Sequence, residues 1–262
     1  MSIGRILVIA GSLAAAVGVA GLIVFGAAPV GVFEVMMVRV TADGTDPLPA
    51  AMGHFLPASL CALLFVVGLL ATCAGLGLPS RRQSITFIGR ALVVLGGVGI
   101  LAAGIPIAMG LFGTRATFMV MATSASAPKA EDLQPALDAS GPLLTTGYVV
   151  LLVAMVLPLL AGLVGFQKRP TDRWLAVAPL LAAPMAALAG LCYVVLFFVG
   201  WQQSVALEGL ITSAASTDKA SELAGHLNAI LTASLIGCPL LMLMGAILAM
   251  AGLLAPRAKR DG

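Results

Sequence analysis

Residues 88–165 read IGRALVVLGGVGILAAGIPIAMGLFGTRATFMVMATSASAPKAEDLQPALDASGPLLTTGYVVLLVAMVLPLLAGLVG. Two long apolar runs flank a small-polar break at Ser124-Ala125-Ser126-Ala127-Pro128, the pattern of two helices folded back on each other. Degenerate versions stand on both sides. Ile3-Gly4-Arg5-Ile6-Leu7-Val8 matches Ile88-Gly89-Arg90-Ala91-Leu92-Val93 at five of six positions with a shift of 85, and Phe33, Val35 and Met36 then fall on Phe118, Val120 and Met121. A shift of 90 carries Lys129-Ala130-Glu131-Asp132-Leu133 onto Lys219-Ala220-Ser221-Glu222-Leu223. The same shift carries Gly147 onto Gly237 and Ala161-Gly162-Leu163 onto Ala251-Gly252-Leu253. Such self-similarity predicts three tandem copies of one helical hairpin, with units near 1–82, 83–172 and 173–262.

Composition sets the class. Of 262 residues, 60% are hydrophobic and 10% charged, with a mean hydropathy of +1.10. So little polar surface cannot cover a soluble core. The expectation is an all-α polytopic membrane protein, one membrane domain over 1–262, with the lipid bilayer as its first partner. The net charge of +3 sits at segment ends and gives no basis for binding nucleic acid. Cys61, Cys73, Cys192 and Cys238 lie inside apolar runs without C-x-x-C spacing and read as buried small hydrophobes.

Six apolar stretches are each long enough to cross about 30 Å of hydrocarbon: Ile6–Val32, Phe55–Leu78, Leu92–Phe112, Leu143–Phe166, Leu175–Trp201 and Ile230–Leu254. The first reads as a span and not a cleaved signal peptide, because its Ile-Gly-Arg opening recurs internally at Ile88. Arg5, Arg81, Arg82, Arg90, Lys168, Arg169, Arg173, Arg257, Lys259 and Arg260 fall on one side of these spans. Of the 14 basic residues, only Arg39, Arg115, Lys129 and Lys219 fall on the other. That bias predicts both termini in the cytoplasm, in the inner membrane of a bacterial cell.

The outward-going helix from Gly89 to Thr123 would measure roughly 50 Å if continuous, more than the lipid needs. Asp46, Asp132 and Glu222 stand where the returning helices start, as acids do at a helix N-terminus. The hairpin tip is therefore expected outside the membrane. No Asp, Glu, Lys, Arg or His occupies the centre of a span, where an ion-binding group would be placed. Glu34, His54 and His226 are interfacial. Ala10-x-x-x-Ala14-x-x-x-Gly18 and Ala182-x-x-x-Ala186-x-x-x-Gly190 mark close helix packing. Pro106, Pro158, Pro179, Pro184 and Pro239 imply kinks. Phosphate-loop, zinc and hydrolase motifs are absent, so no catalytic, metal or cofactor residue is assigned and enzyme chemistry is not expected. The polar groups at lipid depth are hydroxyls. They are Ser59, Thr72, Thr145, Thr146, Thr232 and Ser234, four of them at the outer turn of a returning helix; Ser59, Thr145, Thr146, Thr232 and Ser234 are the candidates to face a pore or a partner.

At those turns a resemblance appears. Ala229-Ile230-Leu231-Thr232-Ala233-Ser234-Leu235-Ile236-Gly237, preceded by Asp218 and by Glu222-Leu223-Ala224-Gly225-His226-Leu227, resembles the MotA, TolQ and ExbB proton-channel family where its last membrane helix begins. The middle copy offers Asp132-Leu133, Ala136-Leu137 and Thr145-Thr146-Gly147. The first copy has Pro57-Ala58-Ser59 in the threonine position, and Gln167–Arg173 leaves no room for the family's large cytoplasmic extension. The resemblance implies a subunit of an ion-driven assembly in which a single-span partner supplies an intramembrane Asp. Divergent copies also fit a second expectation, a non-conducting scaffold or accessory subunit of a larger membrane complex. A transporter is disfavoured by the lack of mid-membrane polar groups.

Overall fold

The computed structural model describes residues 2–26, 48–77, 84–123, 130–167 and 219–255, together with scattered positions between 184 and 202. It is helical almost throughout. In chain order come α1 (Ile3–Gly26), α2 (Leu48–Gly77), β1 (Ser84–Ile85), α3 (Phe87–Thr123), α4 (Ala130–Val164), β2 (Phe166–Gln167) and α5 (Lys219–Leu254). Among the described residues, four stretches are long and apolar enough to cross a membrane: Ile3–Phe25, Phe87–Ala116, Ala139–Val164 and Leu231–Leu254. They match the expected first, third, fourth and sixth spans to within a few residues, apart from positions 27–32 of the first, which lie outside the described residues. The expected second span falls in α2, whose described apolar part is Leu60–Leu76. Most of the expected fifth lies outside the described residues. Leu188, Leu191, Val195 and Val199, which belong to it, are helical and exposed.

Why these sequences stay helical in lipid is a matter of hydrogen bonding. A bilayer offers no partner for a free N–H or C=O, and the helix satisfies them within its own segment. Along α1 the exposed side chains Ile6, Leu13, Val17 and Val24 share one stripe, while Val8, Ala15 and Val19 on the other side are buried. Both faces are apolar, so the sequence shows no polar stripe. Hydroxyls cap the starts: Ser2 Oγ accepts from Arg5 N at 3.3 Å, and Thr86 Oγ1 from Gly89 N at 3.0 Å. Helices α2, α3 and α5 run on through Pro57, Pro106 and Pro239.

Three helix pairs are antiparallel and held by glycine. In α1 and α2 the contacts pair Gly4 with Gly75, Gly11 with Gly68 and Gly18 with Cys61. Those residues recur every seven along both helices, the period that keeps one seam facing its partner. Helix α3 carries two such ridges. Gly96 and Gly110 meet α4 at Ala154, Pro158 and Leu144, while Gly97 and Gly104 meet α5 at Gly245, Ala249 and Met242. The Ala10 and Ala14 positions of the small-residue pattern do not form the seam: Ala10 is exposed and Ala14 half-buried, and only Gly18 is packed.

Helix α1 also packs on α4, and α2 reaches α5. Among the described residues, one contiguous apolar core joins α1 to α5 and is filled by Phe65, Leu69, Ile100, Leu151, Met155, Met244 and Leu248. At one end of the bundle, β1 pairs antiparallel with β2, Ser84 opposite Gln167 and Ile85 opposite Phe166, tying the entry of α3 to the exit of α4.

Candidate functional site

The five candidate hydroxyls do not converge. Thr145 and Thr146 are both exposed on α4, at the N-terminal end of a stripe continued by Val149, Val153 and Leu160. The opposite face of α4, with Leu144, Leu151 and Met155, is buried. Thr232 on α5 is half-buried, and its hydroxyl donates to the Asn228 carbonyl one turn back at 2.6 Å. Such a back-bond uses the hydroxyl's one hydrogen and leaves its oxygen to act only as an acceptor. Ser234 is exposed on the same helix, and its carbonyl accepts from Cys238 Sγ at 3.6 Å. Ser59 belongs to α2, but its side chain lies outside the described residues, as do Glu34 and the side chains of His54 and His226. Helices α4 and α5 each pack on α3 and not extensively on each other, so the Thr145–Thr146 pair and the Thr232–Ser234 pair belong to separate surfaces.

Two further hydroxyls are structural. Ser12 Oγ and Thr72 Oγ1 lie 3.1 Å apart, both fully buried between α1 and α2. Thr72 donates to the Gly68 carbonyl at 2.9 Å, so Ser12 is the donor between the helices.

The polar chemistry that sequence reading missed lies at the helix ends. Arg5 donates from Nε to the Gly162 carbonyl at 2.9 Å and from Nη2 to the Leu163 carbonyl. Arg90 donates from Nε to the Gly252 carbonyl at 3.2 Å and from Nη2 to the Leu253 carbonyl. These carbonyls belong to the last turns of α4 and α5, where a helix has no donors of its own. A cation there also opposes the negative end of the helix dipole. The glycine under each clamp lets the neighbour in. A Cβ on Gly162 would strike Ile9 and Val8, and one on Gly252 would strike Val93 and Val94. Near the other end of the α3–α5 seam, Arg115 Nε donates to Asn228 Oδ1 at 2.9 Å.

The repeated Ile-Gly-Arg and Ala-Gly-Leu triplets carried this information. Read as marks of duplication and topology, they gave no hint that one triplet grips the other.

Of the cysteines, Cys73 and Cys238 are buried, Cys61 is half-buried and Cys192 is exposed, all as free thiols. Among the described residues, no three of His, Cys, Asp and Glu come together in a way that could hold a metal. No family model, no curated protein and no solved structure matches the chain.

Proposed function

We propose that this chain is an inner-membrane subunit of a multi-protein assembly, built from three copies of one hairpin. In this reading it crosses the bacterial inner membrane six times with both termini in the cytoplasm. Two observations favour the repeat. The α1–α2 contact of Gly11 with Gly68 and Thr72 recurs in α3–α4 as Gly96 with Ala154 and Pro158, displaced by 85 and 86 residues. The clamp of Arg5 on Gly162 and Leu163 likewise recurs as Arg90 on Gly252 and Leu253.

The assembly partner is a single-span protein carrying an intramembrane Asp, as the resemblance to the MotA, TolQ and ExbB family implies. The observation that carries the reading is the exposed Thr145–Thr146 pair on α4. The bundle core is filled with large apolar side chains, so a proton route runs outside it, between this chain and the partner helix. Hydroxyls on that face can solvate a proton moving past the partner's carboxyl group. The test is proton flux through proteoliposomes holding the chain and the partner. Flux is expected from the native pair and should fall to background when Thr145 and Thr146 are both changed to Val. Undiminished flux would sink the conducting role.

The back-bonded Thr232 hydroxyl and the filled core favour a second reading, a non-conducting scaffold. It expects the partner to co-purify, with no flux from the native pair and no effect of the valine changes on assembly.

A further inference from the structure

Where the α1–α4 seam ends, we propose a binding site for the headgroup of an anionic phospholipid, centred on Arg5. The proposal rests on the membrane reading of the chain. Arg5 is not a free surface cation. Its Nε and Nη2 are bonded to the Gly162 and Leu163 carbonyls, which fixes the plane of the guanidinium. Nη1 has no partner among the described residues. Two last-turn carbonyls of α4 take up one edge of the guanidinium, and its other edge carries N–H donors free for an anion. The fork of a guanidinium matches two oxygens of a phosphate.

Exposed apolar side chains neighbour Arg5 and its partner carbonyls along both helices. Ile3 is 73% exposed, Ile6 48%, Leu163 47% and Val164 67%. A free anion would satisfy the guanidinium and leave the ridge bare. A neutral lipid would cover the ridge and leave the outward edge of the guanidinium without an anion. A phosphate diester with acyl chains meets both, by charge complementarity at the head and apolar burial along α1 and α4. Basic pockets between membrane helices hold anionic lipids by this division of labour.

The experiment uses the full chain, purified in neutral detergent and stripped of lipid, with phosphatidylglycerol or phosphatidylcholine titrated in and bound lipid counted by native mass spectrometry. Phosphatidylglycerol is expected to bind more tightly by about fivefold, the worth of one interfacial cation. Arg5→Gln should remove that preference and Arg5→Lys should keep most of it. Equal binding of the two lipids by the native chain overturns the proposal. So does an Arg5→Gln protein that still prefers phosphatidylglycerol, or displacement of the lipid by inorganic phosphate. If Arg5→Gln does not fold, the native comparison together with Arg5→Lys decides. Recovery of the chain in the soluble fraction of cells would instead sink the membrane reading itself.

Discussion

At the scale of single residues, the seams set the tolerance of the fold. A Cβ on Gly68 would lie 2.4 Å from Ala15 N and 2.5 Å from the Gly11 carbonyl oxygen. Both are backbone atoms of a helix and neither can swing away. Gly68→Ala is therefore expected to push α1 and α2 apart, costing about 1–3 kcal/mol, the usual range for overpacking. Gly225 lies in α5 with nothing within 4 Å of its would-be Cβ. Gly225→Ala should stabilise by up to about 1 kcal/mol, through helix propensity alone. Thermal unfolding in detergent checks the pair, and a Gly68→Ala melting point at or above that of Gly225→Ala contradicts the close seam. The presence of small residues at a seam was legible in the sequence, but the face they mark was not. A four-residue spacing drew attention to Ala10 and Ala14, whereas the packed ridge follows the seven-residue spacing of Gly4, Gly11 and Gly18. In a helix that is apolar all round, no polar stripe tells one face from the other.

At the scale of elements, α3, α4 and α5 are longer than a bilayer crossing needs, and that length was readable from the unbroken runs. Helix α3 has 37 residues, about 55 Å at 1.5 Å each. Helix α4 starts at Ala130, ahead of an apolar span that opens at Ala139, and α5 starts at Lys219, ahead of one that opens at Leu231. On the membrane reading, these leading turns are expected to project beyond the apolar spans. A cysteine at Gln134 should react with a membrane-impermeant maleimide in intact vesicles of the correct orientation, while one at Val153 should not. Labelling at both positions, or at neither, removes the projecting tip.

What a sequence cannot display is which helix end a distant arginine reaches, because the partner carbonyls carry no side-chain signature. Arg90 holds the end of α5 through two carbonyls. Arg90→Met frees them and withdraws charge-assisted bonds worth about 1.5–3 kcal/mol each to stability. Faster hydrogen exchange is expected in the last turn of α5, with the start of that helix, held by Arg115 to Asn228, less affected. Uniform acceleration along α5 would show that the clamp is not a local device.

At the scale of the whole molecule, the class of protein was legible because composition alone excludes a soluble core. The way the helices surround one another was not, since it depends on contacts between residues more than a hundred apart, such as Arg5 with Gly162 and Arg90 with Gly252. That arrangement bears directly on conduction. Phe65, Leu69, Ile100, Met155 and Met244 are fully or nearly fully buried in a core shared by five helices. A proton path through this interior would have to cross side chains that offer it no hydrogen bond. Proteoliposomes holding the chain alone are therefore expected to leak protons no faster than empty ones. Met155→Ala and Met244→Ala should each lower stability by about 2–5 kcal/mol, the cost of a cavity in a packed core. Neither should raise flux, because the space they open is apolar and stays dry. Flux from the chain alone that disappears with Thr145→Val and Thr146→Val would place the route inside a single chain and reverse the division of labour argued above. Flux that appears only when the partner is added, and only with those threonines intact, requires the path to lie at the surface where the two proteins meet.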